Sequence, residues 1–241
     1  MIASWRADHL RVSLFSGVLW NAEPASVLAD AFGVQPESTS QKATVGESNA
    51  VGRWASLRVE VRRTINRFDF ILQPIPDLQQ DGHVPSMSGL EELFPRFTSA
   101  VGRWITGQSQ EVIRVAVGCG GLLATDDVAQ TYLKLKQLVK VVEIDADRFR
   151  DMQFQVNLPV HAKTDPDLLL NRITSWTSIR VEAKLIGPAA EQALAPSHFV
   201  TCTIDINTDA ARTAPFEMRV VGDLLAEMCQ GAIEVLDNGI E

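Results

Sequence analysis

The sequence predicts an α+β fold: largely antiparallel sheet with amphipathic helices packed on one face. Three observations carry this. The last third reads as two long strands, Trp176–Ile186 and Phe199–Ile206, followed by an amphipathic helix over roughly Pro215–Leu236. Trp54–Pro74 reads as a hairpin with one mostly apolar face per strand. Regular β-α-β alternation, the mark of a doubly wound parallel sheet, is absent.

Taken in order, Leu10, Val12 and Leu14 alternate with Arg11 and Ser13, which predicts a first strand. Asn21 to Gly33 reads as a short helix, with Pro24 in its first turn and Gly33 at its C-terminal end. Gln35–Ala50 is polar and without period, and is expected to be a surface loop. In the hairpin, Leu57, Val59 and Val61 are answered by Phe68, Phe70 and Leu72. Pro74, Pro76 and Pro85 with Gly82 and Gly89 mark a long connection. Ser88 and Glu91 form an S-x-x-E capping box before Leu90, Leu93, Phe94, Phe97, Val101 and Trp104. Pro95 in the second turn is expected to bend that helix or shift its start.

Val112–Val117 predicts a buried strand that ends in the tight turn Gly118-Cys-Gly-Gly121. Thr125 is placed to cap a helix carrying Val128, Tyr132, Leu135 and Val139. Gln153–Val160 predicts a further strand. The final helix sets Val221, Leu224, Leu225, Met228, Ala232, Ile233 and Leu236 on one stripe, opposite Glu217, Arg219, Asp223, Glu227 and Glu234. No fixed-period repeat is present. Each half nevertheless holds strands followed by an amphipathic helix, so residues 1–241 are read as one domain with 1–118 and 119–241 as candidate sub-lobes.

Composition narrows the function classes. Apolar residues at 46% and charged residues at 22% are the proportions of a globular chain, not a disordered one. A net charge of −8 disfavours nonspecific adhesion to nucleic acid or anionic membranes. Cys119, Cys202 and Cys229 are odd in number and far apart, which argues against a disulfide framework or a thiolate metal site. The N-terminal residues lack a basic head followed by an apolar core, and no apolar run reaches the ~18 residues of a membrane span. The expectation is a cytoplasmic protein with no cofactor and no membrane association.

The sharpest catalytic pattern is Asp167 followed by Glu182-Ala-Lys184. It resembles the PD-(D/E)xK nucleases, in which two carboxylates hold a divalent cation and the lysine activates water. The upstream helix carboxylate is not evident, and a solvated Glu–Lys neighbour pair is the plainer reading. Asp205-Ile-Asn-Thr-Asp209 opens like a calcium loop, yet Ala210 and Phe216 stand where the loop needs glycine and glutamate. Glu143, Asp145 and Asp147 alternate as a weaker magnesium candidate. The glycines at 118–121 lack the spacing of a phosphate loop. His9, His83, His161 and His198 form no ligand spacing. Arg53, Arg58, Arg62, Arg63 and Arg67 gather around the hairpin, the one positive concentration in an acidic chain, with Trp54 and Phe68 close by in sequence.

The segments LNRITSW (170–176) and CTIDINTD (202–209), with the helix that follows, resemble a sporadically distributed group of uncharacterised bacterial proteins of similar length. Such distributions are common among accessory, immunity and phage-defence genes; the resemblance itself implies no activity and no catalytic residue. The reading is therefore a non-enzymatic protein-binding or accessory subunit in a bacterial defence or immunity setting. Its binding residues are Arg58, Arg62, Arg63 and Arg67. The alternatives are the metal-dependent nuclease built on Asp167, Glu182 and Lys184, nucleic-acid binding through the arginine hairpin, and self-association.

Overall fold

The computed structural model describes residues 4–76, 84–182, 184–186, 191–193 and 196–241, with backbone only for 184–186 and 191–193. The chain order is β1 (Trp5–Phe15), α1 (Pro24–Phe32), β2 (Ser38–Lys42), β3 (Glu47–Trp54), β4 (Leu57–Arg63), β5 (Arg67–Gln73) and α2 (Leu90–Thr106). Then come β6 (Arg114–Thr125), α3 (Val128–Leu138), β7 (Gln153–Asn157), β8 (Val160–His161), β9 (Leu169–Val181), β10 (Lys184–Ile186), β11 (Glu191–Ala193), β12 (Ser197–Thr208) and α4 (Met218–Asn238). The α+β class is as read from the sequence.

One ten-stranded antiparallel sheet spans both halves in the order β2-β3-β4-β5-β1-β6-β12-β9-β7, with β8 paired to β9; β10 and β11 form a separate hairpin. Read outward from the central β1·β6 pair, the halves mirror each other. Each runs strand, helix, three-strand meander, helix: β1-α1-β3-β4-β5-α2, then β6-α3-β7-β9-β12-α4. The division at residue 118 falls inside β6, and one sheet runs through both halves.

Side-chain alternation assigns the two faces. Leu10, Val12 and Leu14 face Leu72, Phe70 and Phe68 on one side and Cys119, Val117 and Val115 on the other, and all are buried. A bulge at Asp8 shifts the register between Ala7 and His9, which keeps Trp5 and Ala7 on the same face as Leu10. The helices cover this face. Across the centre, α2 and α4 cross where Gly102 and Gly222 meet; a Cβ on Gly102 would lie 3.6 Å from the Gly222 Cα. Gly121 admits Leu236 and Trp5, with a Cβ there only 2.8 Å from Leu236 Cδ2.

Several local readings are corrected. Gly118–Gly121 is not a turn: β6 runs through it, and the missing side chains make room on both faces of the central strand. Residues 35–50 are not a loop but hold β2, a 3-10 turn at Ala43–Val45 and the start of β3. Every residue of β2 is exposed, so this edge strand buries nothing and shows no period. Helix α2 is capped by Gly89 at φ 68°, not by a Ser88 box, and continues through Pro95. The cap of α3 is Asp127, whose carboxylate accepts from the Gln130 N–H; Thr125 instead bonds Thr131.

Candidate binding surface

With the helices on one side, no described helix covers the other face of the sheet. The register lays its side chains out in rows. One row reads Ile71–Arg11–Gly118–Asp205–Ile173 across β5, β1, β6, β12 and β9. Because Gly118 has no side chain, the Arg11 guanidinium lies over it and reaches Asp205 on the far strand at 2.8 Å. The Asp205 carboxylate also accepts from Asn207 Nδ2 at 2.7 Å, Asn207 Oδ1 accepts from Asn171 at 3.3 Å, and Asn171 Oδ1 accepts from Asn157 at 3.0 Å. Arg114 joins at Asn207 Oδ1, 3.2 Å. The result is a polar ladder from β1 to β7.

Asn171 belongs to LNRITSW, and Asp205 and Asn207 to CTIDINTD; the two segments pair in register, from Leu170 opposite Thr208 to Trp176 opposite Cys202. The D-x-N-x-D run is therefore spent on protein donors. Asp205 takes Arg11 and Asn207, and Asp209 turns the chain by accepting from the Ala211 N–H. Glu143, Asp145 and Asp147 lie outside any strand, and Asp145 accepts from the backbone of Asp147 and Arg148. Among the described residues no group of three His, Cys, Asp or Glu side chains is placed to hold a metal ion.

Asp167 and Glu182 are not brought together. Asp167 precedes β9 and Glu182 follows it, so the thirteen residues of that strand stand between them. At ~3.3 Å per residue the separation is about 40 Å, whereas a shared cation needs its oxygens at about 2.0–2.6 Å. Glu182 pairs with Arg180 at 2.7 Å. The Lys184 side chain and His83 lie outside the described residues.

The arginines of the hairpin are paired rather than free. Arg53 pairs with Glu37, Arg58 and Arg62 with Glu60, Arg63 with Glu23 and Arg67 with Asp69, all within 3.1 Å. Glu60 and Asp69 are only 5% and 4% exposed, so their charges require these partners. The hydrogen bond to Glu60 holds the Arg62 pKa above its usual value. Arg58, Arg62 and Arg67 belong to the uncovered face. Arg63 points to the helix side, where it also donates to the Ala22 carbonyl. The predicted binding set is thus split between faces and largely neutralised.

Sequence reasoning missed Arg172. It lies on the helix-covered face opposite Ile206, in a pocket of about 360 Å³ between α4 and the β8–β9 segment, with Leu170, Met228 and Glu227. Its Nε is buried without a partner, and no described carboxylate pairs with it. Glu227 is occupied otherwise. It accepts from the Lys163 and Thr164 N–H groups and from the Thr164 hydroxyl, which outweigh burial and hold its pKa below the usual range. The three thiols are buried and free; burial pushes Cys119 and Cys202 upward, and Cys229 up to about 12, which suppresses thiolate chemistry.

No protein-family model and no curated protein sequence matches this chain. No helix among the described residues is long and apolar enough to cross a membrane.

Proposed function

We propose that the protein is a non-enzymatic accessory subunit that binds a protein partner through the uncovered face of its sheet. The observation that carries this is the one-sided placement of the helices. It leaves a broad face on which half-buried apolar residues (Val51, Ile71, Ile173, Phe199) alternate with ion pairs and amides already held in place. Groups fixed before binding lose little freedom on docking, and a mixture of apolar, arginine and amide side chains suits a non-obligate interface. Carboxylate pairing of the hairpin arginines favours this reading over a nucleic-acid grip, which depends on cations free to meet phosphates.

The test is affinity capture from the native host with the wild-type chain and two variants. Thr203→Arg and Ser175→Arg together place bulk at paired positions on the uncovered face, and Glu234→Arg alters the outer side of α4. The expected result is a stoichiometric partner lost from the sheet variant and kept by the α4 variant, both with wild-type circular dichroism. Equal capture by the sheet variant and wild type sinks the proposal.

A further inference from the structure

One end of the uncovered face differs from the rest in its charge balance. The terminal row of the sheet reads Arg67–Phe15–Arg114, since Phe15 stands opposite Arg67 on β5 and opposite Arg114 on β6. Both guanidiniums lean on that one ring, at 5.8 Å and 4.9 Å from its centroid. The connection from β12 to α4 adds Arg212, stacked on Phe216 at 4.1 Å. Together they line a bowl of about 520 Å³, completed by Ser16, Thr64 and Asn66.

No carboxylate lines this bowl among the described residues. Arg114 is held by neutral acceptors only, the Thr208 carbonyl and the Asn207 amide. The Arg212 guanidinium has no described acceptor, and its Nε is buried without one. Asp69 sits at the Nε of Arg67, which leaves the two terminal amino groups of that side chain facing no described acceptor. Elsewhere on the hairpin each arginine is matched by a carboxylate; here three guanidiniums share one. Arginines stay protonated, so like charge cannot be relieved by losing a proton.

We infer that this bowl binds a phosphate group, as the free dianion or as the phosphate of a small polar ester. A carboxylate presents two oxygens in one plane and is satisfied by a single guanidinium fork. A tetrahedral dianion presents oxygens in several directions, which suits cations arriving from β5, β6 and the β12–α4 connection. The volume falls in the ~300–1,000 Å³ range of small-molecule sites, leaving room beyond the anion beside Thr64 and Asn66. Aromatic rings under all three guanidiniums, with the Thr208 carbonyl and Asn207 amide on Arg114 and Asp69 on Arg67, fix them in advance, so little ordering remains to be done on binding.

The test is thermal unfolding and titration calorimetry of the full chain with inorganic phosphate and with ribose 5-phosphate, against sodium chloride at matched ionic strength. Saturable stabilisation that grows with ligand concentration is expected, and whichever phosphate binds more tightly identifies the source. Arg212→Gln, in a connection outside the sheet, is expected to lower affinity at least tenfold, as is Arg114→Gln. Arg172→Gln, remote from the bowl on the other face, is expected to bind as wild type. A phosphate response no larger than that of chloride, or unchanged affinity in Arg212→Gln, overturns the assignment. The bowl and the partner surface are tested separately, because phosphate binding requires no partner.

Discussion

The two halves follow one topological plan and fill it differently. In the first, α1 and α2 close over an aromatic cluster: Phe32 stacks on Phe97 and packs against Phe70 and Trp54, while Trp104 meets Trp20, Phe68 and Phe70. In the second, Trp176 meets Trp5 of the other half, and Tyr132 uses its hydroxyl to hold the Met152 N–H and Ser178. Stacked rings lie under α1 and α2 in the first half; Leu170, Ile206, Met228 and Arg172 line the pocket beside α4 in the second. One backbone plan is thus filled by interlocked rings in the first half and mainly by aliphatic side chains in the second.

The largest test of that contrast is truncation. Phe70→Ala or Phe97→Ala is expected to cost about 3–5 kcal/mol in urea unfolding, because each opens a cavity inside packed rings. Met228→Ala borders existing space and is expected to cost about 2–3 kcal/mol. Equal losses would erase the distinction between the halves.

The polar ladders sharpen the comparison at smaller scale. Asp69→Ala strands the Ser13 hydroxyl and Arg67 beside a site that is almost fully buried, and is expected to cost about 2–3 kcal/mol. Asp205→Ala removes a pair exposed by 37% and 34%, for which solvent screening leaves about 1 kcal/mol. Urea midpoints of the two variants rank them directly.

Glu227 provides a pH signature confined to the second half. Its folded-state pKa lies below the unfolded value, so its contribution is fully present above the unfolded pKa and is lost as pH falls through the folded pKa. Glu227→Gln should be less stable than wild type at neutral pH, with the difference shrinking on acidification; a difference constant with pH would show that the carboxylate charge is not what anchors residues 163–164. The smallest effect is a gain. A Cβ on Gly222 meets nothing closer than Thr106 Cγ2 at 3.7 Å, so Gly222→Ala is expected to stabilise α4 by about 0.5–1 kcal/mol, read as a rise in melting temperature.

Legibility in the sequence followed local periodicity. The hairpin and the apolar stripe of α4 were readable because each buries a face whose spacing repeats every two or 3.6 residues, and α1, read as Asn21 to Gly33 and observed as Pro24–Phe32, was marked by its proline and its terminal glycine. β2 was unreadable because it buries neither face. The glycines of β6 read as a turn because glycine is the usual turn residue, whereas here they admit side chains arriving from β1 and α4. For the surface, the concentration of arginines was visible but not its neutralisation: Glu23 and Glu37 come from other elements. Arg114 and Arg212 lay far from the hairpin in sequence and carried no signal of their own.

The sequence alone determined the α+β class, the hairpin at 54–74, the terminal amphipathic helix and the absence of cysteine spacing for a disulfide framework or thiolate metal site, because these depend on residue type and short-range spacing. Tertiary structure alone decided that the two halves share one sheet, that Asp167 and Glu182 stand at opposite ends of a strand, and that Phe15 lies between Arg67 and Arg114. Those outcomes depend on which strands become neighbours and in what register. Register is set by burying one face of every strand at once, a condition that no single segment carries.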